Sequence, residues 1–122
     1  MKLLALTPLL WTDDVQGTVS FYSEVLGFVC DNHTESWSWA SLRLGDVAVM
    51  VAYPPAGEAF DGARLTGSLY FGVDDVEDAW QRLKDAAHVC YPIDDFDWGM
   101  REFGIYDNNG YLLQFGQEIA RT

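Results

Sequence analysis

Cysteine is scarce in this sequence, and the two present, Cys30 and Cys90, stand far apart, outside any C-x-x-C and without a partnering histidine. A thiol-based zinc site or redox motif is therefore excluded, and two reduced, packed thiols are expected. Histidine is equally rare. His33 lies close to Glu35, but that pair supplies two ligands at most, fewer than a protein-held transition metal requires. His88 falls near a helix end, and neither histidine belongs to a recognisable Ser-His-Asp or Cys-His arrangement. Basic residues are few: 7 Lys and Arg against 19 Asp and Glu leave a net charge of −12. Such a field repels nucleic acid and anionic lipid and attracts cations, besides favouring solubility. Long apolar runs are absent too, and even "VAVMVAY" at 47–53 is far short of a membrane span. Pro8 interrupts the N-terminal "MKLLALTPLLW" and no small-residue cleavage site follows, so that segment reads as a buried first strand and the chain as cytoplasmic.

What the chain has in plenty is aromatic side chains, 15% of its residues and five of them Trp, in a length of 122 that suits one domain. It also repeats itself. "TPLLWTDDVQGTVSFYSEVLGFVC" (7–30) aligns without gaps to "SLYFGVDDVEDAWQRLKDAAHVCY" (68–91). Each copy holds a short apolar run, then "TDDV" or "VDDV", then apolar residues at helical spacing: Val15, Val19 and Tyr22 in one, Val76, Trp80 and Leu83 in the other. The aspartates sit where helix N-caps belong. A hairpin follows each helix, turning at "LGDV" in the first copy and at "DNNG" in the second. The expected fold is α+β: two tandem βαβββ modules, 1–53 and 67–118, in a single domain over 1–122. The Pro/Gly/Ala-rich stretch 54–66 is the linker between them. Their strands form a curved mixed sheet around a concave cavity, with helices on the outer face.

Alternation along the strands divides their residues between two faces. A turn at Gly45 and Asp46 pairs Leu44 with Val47, Ser41 with Met50 and Trp39 with Ala52. Leu42, Leu44, Val47, Val49 and Val51 then form the core face, and Trp37, Trp39, Ser41, Arg43 and Met50 the open one. In the second copy, pairing Tyr106 with Tyr111 sends Tyr111, Leu113 and Phe115 to the core. Arg101, Phe103, Ile105, Leu112 and Gln114 go to the open face, where Tyr70 and Ser68 join them. Aromatics mixed with small and polar residues suit a ligand-lining surface, although ordinary packing or a dimer interface accounts for them as well.

The paired βαβββ modules, with "FYSEVLGF" at 21–28, "GVDDVEDAW" at 72–80 and "WGMREFGIYDNNGYLLQFG" at 98–116, resemble the vicinal oxygen chelate superfamily of glyoxalases, extradiol dioxygenases and bleomycin resistance proteins. The last frame looks most like the bleomycin resistance branch. Metal-using members of that superfamily place ligands at positions that correspond here to Thr7, Met50, Ser68 and Gln114. Hydroxyls, a thioether and an amide bind a divalent metal poorly, so the resemblance implies a metal-free site with no cofactor. It also implies sequestration by an acidic, strand- or module-paired homodimer, whose grooves hold a planar cationic drug.

The ligand-binding residues expected are Trp37, Trp39, Ser41, Met50, Tyr70, Trp98, Arg101, Phe103, Ile105, Leu112 and Gln114. The aromatic rings stack on a flat cation at about 0.5 to 2 kcal/mol each, while Asp94, Asp95, Asp97, Glu58 and Asp61 steer it inward. No catalytic residue is assigned. A metal-independent lyase or isomerase using Arg101 or Glu102 is the alternative, followed by an orphan module with a filled cavity. By parity Arg101 faces the pocket, or pairs with Asp97 at its rim. Glu102 faces the helices, as a buried carboxylate matched to Arg82, Lys84 or backbone N–H groups.

Overall fold

The computed structural model describes residues 1–120, which fall into two compact units, one ending at Ala63 and the other beginning at Arg64. In the first, β1 (Leu9–Trp11) leads into α1 (Val15–Ser20), and a π-helical turn at Phe21–Val25 extends that helix. Then come β2 (Val29–His33), β3 (Trp39–Leu44) and β4 (Val47–Ala52). The second unit repeats the plan with β5 (Leu69–Gly72), α2 (Val76–Leu83), β6 (His88–Asp95), β7 (Met100–Tyr106) and β8 (Leu112–Glu118). Each unit holds one mixed four-stranded sheet, ordered β1-β4-β3-β2 and β5-β8-β7-β6, whose first strand pairs parallel with its last. The fold is thus α+β, built from two tandem βαβββ modules. Residues 53–68 between the modules carry neither helix nor strand. Among the described residues no helix is long and apolar enough to cross a membrane.

Both helices start where the doubled aspartates place them. The Asp14 carboxylate accepts from the Gly17 N–H at 2.9 Å, and that of Asp75 from the Asp78 N–H at 3.1 Å. Each satisfies a donor that the first helical turn leaves free. A second device anchors α2 to its sheet: Gln117 on β8 accepts from the Val76 N–H at 3.0 Å and donates to the Asp74 carbonyl at 2.7 Å.

The first hairpin has the expected register, Leu44 opposite Val47 through Trp39 opposite Ala52. Its turn needs a left-handed residue, and Gly45 supplies it with φ of +59°. Ala40, Leu42, Val49 and Val51 are fully buried, with Val15 and Tyr22 of the α1 layer likewise removed from solvent. Leu44 and Val47 belong to the same face but lie at the exposed hairpin tip.

The second hairpin differs from expectation by one residue. Tyr106 pairs with Leu112, not with Tyr111, and the loop spans Asp107–Tyr111. The cause is the Asp107 side chain, which folds back into the loop and accepts from the Asn109 and Tyr111 N–H groups at 2.8 and 3.0 Å. A slip of one residue exchanges the faces of a strand. Phe103 and Ile105, expected on the open face, are fully buried on the helix side. There the rings of Trp80, Phe103, Phe115 and Phe71 follow one another with centroids 5.2 Å apart. Glu102, expected among the helices, faces the opposite way.

Candidate functional site

On the open face of β7 and β8 polar residues and glycines alternate across the strands: Glu102 is paired with Gly116, and Gly104 with Gln114. The flanking strands supply a tyrosine each, Tyr70 opposite Gln114 and Tyr91 opposite Gly104. A Cβ on Gly116 would overlap the Tyr70 hydroxyl, and one on Gly104 would overlap the Tyr91 ring. The two glycines therefore let both rings lie down on the sheet, and both hydroxyls reach Glu102. Tyr70 donates to Oε1 at 3.2 Å, and Tyr91 donates to Oε2.

A third donor arrives from the β6–β7 turn. The Phe96 N–H bonds the Met100 carbonyl at 2.9 Å and the Gly99 N–H bonds the Phe96 carbonyl at 3.1 Å, closing a tight turn in which Gly99 takes φ of +82°. This turn brings the Trp98 indole N–H to Glu102 Oε1 at 2.7 Å and stacks the indole on Phe96, centroids 4.8 Å apart and 16° from parallel. The Trp98 ring stays 64% exposed while Glu102 beneath it is 2% exposed. Gln114 completes the cluster, donating from Nε2 to the Tyr91 hydroxyl at 2.9 Å and accepting from Ser68. Burial, and secondarily the neighbouring Glu102, push the phenols of Tyr91 and Tyr70 above the usual tyrosine range, so both remain neutral donors.

An open cleft of about 320 Å³ lies against this cluster, lined by Tyr91, Pro92, Asp94, Phe96, Trp98, Glu102 and Gln114. Of the residues expected to bind ligand, the second unit brings together Tyr70, Trp98 and Gln114, with Leu112 further along the same face opposite Tyr106. Arg101, Phe103 and Ile105 are not among them. Arg101 turns to the helix side, pairing with Asp95 at 3.0 Å and with Glu77 of α2 at 3.1 Å, and the expected Asp97 partner is replaced by Asp95. The hydrogen bond that Arg101 donates to Asp95 is the chief cause of its raised pKa. The partners expected for Glu102 were Arg82, Lys84 or backbone N–H groups, and they are replaced by two phenols and an indole. In the first unit Trp39, Ser41 and Met50 share the half-buried open face. Trp37 stands apart in the loop before β3, at φ of +56° and stacked on His33 with centroids 3.6 Å apart.

Tyr91 and Phe96 are site residues that sequence reasoning misses, and Glu102 enters it only through the alternative lyase or isomerase reading. The signal was present in "EFGIY" and "LQFGQ", where a glycine follows each polar residue at a spacing of two, but only the true register turns that spacing into room for a tyrosine ring.

The four positions corresponding to metal ligands do not fit a metal. Ser68 and Gln114 spend their polar atoms on each other and on Tyr91, and Met50 offers only a thioether. Among the described residues no three of His, Cys, Asp and Glu gather as a ligand set.

Many solved structures share this architecture, three of them as follows. TioX from Micromonospora sp. ML1 is 24% identical with a TM-score of 0.74, covering 93% of this chain and 98% of its own. A glyoxalase/bleomycin resistance protein/dioxygenase from Nocardioides is 17% identical with a TM-score of 0.77, covering 100% and 88%. The lactoylglutathione lyase from Agrobacterium tumefaciens is 18% identical with a TM-score of 0.72, covering 93% and 92%. At these identities the likeness establishes the fold. No curated protein sequence matches. The model of one family does match, over residues 4–115. With paired βαβββ modules in the structure and that match over nearly its whole length, the chain belongs to the Glyoxalase/Bleomycin resistance protein/Dioxygenase superfamily.

Proposed function

We propose that the cleft of the second unit binds a flat, cationic small molecule without a metal, and that the protein acts by holding it, as in cytoplasmic antibiotic resistance by sequestration. One observation carries this reading: Glu102 is almost fully buried, yet among the described residues it forms no ion pair. A carboxylate kept from water and matched only to neutral donors favours an incoming cation. The Phe96 and Trp98 rings beside it offer stacking and cation–π attraction of about 0.5 to 2 kcal/mol. The net charge of −12 adds long-range attraction.

The test is a thermal-shift and tryptophan-fluorescence titration against bleomycin-like glycopeptides and other planar cationic antibiotics. Saturable binding is expected for the wild type, with loss in Glu102→Gln and Trp98→Ala. No binding across the panel, or binding indifferent to both substitutions, overturns the proposal. The alternative, a metal-independent lyase or isomerase, draws on the same cluster, because a buried carboxylate bonded to a phenol is also an arrangement that moves protons. Turnover of a bound compound that Glu102→Gln abolishes would favour it.

We also propose a homodimer. Leu3, Leu4 and Leu6 are 84%, 85% and 91% exposed in the single chain, apolar surface that a second copy would cover. A monomeric mass by light scattering at micromolar concentration would refute the dimer.

A further inference from the structure

The hydrogen bonds around Glu102 run in one sense, and that sense shows which acceptor is left over. A carboxylate only accepts, so Tyr70, Tyr91 and the Trp98 indole each donate a hydrogen bond to it. Having donated, the Tyr91 oxygen can accept, and does so from Gln114 Nε2 at 2.9 Å, while Gln114 Oε1 accepts from Ser68. The whole chain of donors thus points at one carboxylate. Two carboxylate oxygens offer about four acceptor positions. Oε1 takes Tyr70 and Trp98, whereas Oε2 takes Tyr91 alone. One position therefore remains, on Oε2, in a side chain that lines the cleft. Three arginines are engaged elsewhere: Arg101 with Asp95 and Glu77, Arg82 with Asp78, Arg43 with Asp31.

Resting on the cationic-ligand reading above, we infer that the ligand's cation is one that still carries N–H, a protonated amine, amidinium or guanidinium, and not a quaternary ammonium. Its N–H donates to Glu102 Oε2 while its ring lies against the stacked Phe96 and Trp98. A quaternary ammonium needs only aromatic faces, having nothing to donate. In this cleft its methyl groups would close over Oε2 and leave that buried acceptor position unfilled. A charged N–H fills the position with a short, charge-assisted bond.

Calorimetric titration of the wild-type protein with 1-naphthylmethylammonium and with its N,N,N-trimethyl derivative separates the possibilities, because ring and charge are the same in both. The ammonium is expected to bind at least about tenfold more tightly, the usual worth of a hydrogen bond to a charged group. A smaller ratio, or preference for the trimethyl compound, overturns the inference while leaving the cationic-ligand reading standing. Failure of both to bind overturns that reading and the inference with it. The preference is expected to vanish in Glu102→Gln. A ratio that persists there, in a variant whose melting curve shows it folded, overturns the assignment to Glu102.

Discussion

Gly104 and Gly116 matter for what lies on them. A methyl group at Gly116 meets only the far end of Tyr70, a half-exposed side chain that can swing aside, whereas one at Gly104 meets the body of the Tyr91 ring. Gly104→Ala is therefore expected to cost about 1 to 3 kcal/mol in chemical denaturation and Gly116→Ala less, since an added core methyl is costly when its neighbour cannot move. Both should weaken ligand binding by moving a hydroxyl off Glu102. The tyrosines also set a pH dependence. Their folded pKa values lie above the ordinary 10.0, so the folded state holds these protons more tightly than the unfolded chain. The stability from the neutral phenols is complete below that value and is lost as pH rises from it toward the raised folded values. Melting temperature is expected to fall between about pH 9 and about pH 11, and to fall less in Tyr91→Phe. An equal fall in both proteins would contradict the raised Tyr91 pKa, which burial causes first and the bond to Glu102 second.

At the scale of the element, β7 decides the site, because its two faces do unlike things. Phe103 and Ile105 join the ring series from Trp80 to Phe71, while Glu102 and Gly104 line the open side. Phe103→Ala is accordingly expected to destabilise the protein by about 3 to 5 kcal/mol through the cavity it leaves. A near-neutral melting curve with weakened ligand binding would instead place Phe103 in the cleft, where alternation from a Tyr106–Tyr111 pair puts it. The first hairpin was read correctly because a two-residue Gly-Asp turn admits one register. The second was not, because "DNNG" hides a loop in which Asp107 binds two N–H groups across the turn. Asx-type bonding of this kind adds a residue to a loop without altering its composition.

For the molecule as a whole the excess of negative charge governs encounter more than fold. Affinity for a monocation in the cleft is expected to fall as salt is raised from about 0.05 M to about 0.5 M, because the screening length shrinks over that range. Isothermal titration along a salt series measures it, and invariance would mean that the carboxylates outside the cleft contribute nothing. Adding zinc or manganese is expected to leave the melting temperature unchanged, since Thr7, Met50, Ser68 and Gln114 present no imidazole or carboxylate. A rise of several degrees would refute this.

By itself the sequence determined the plan of the protein. Doubled aspartates mark two helix starts, apolar spacing marks their buried faces, and a gapless repeat marks two βαβββ modules, because capping and periodicity are local and survive without tertiary information. It also shows no imidazole or carboxylate at Thr7, Met50, Ser68 and Gln114, since ligand chemistry is legible from residue type alone. What only the tertiary structure decided is the site. Register is a relation between strands, and a single residue hidden in the Asp107 loop carried Glu102 from the expected helix face to the floor of the cleft. Tyr70, Tyr91 and Trp98, on three separate elements, converge there because Gly104 and Gly116 leave the space.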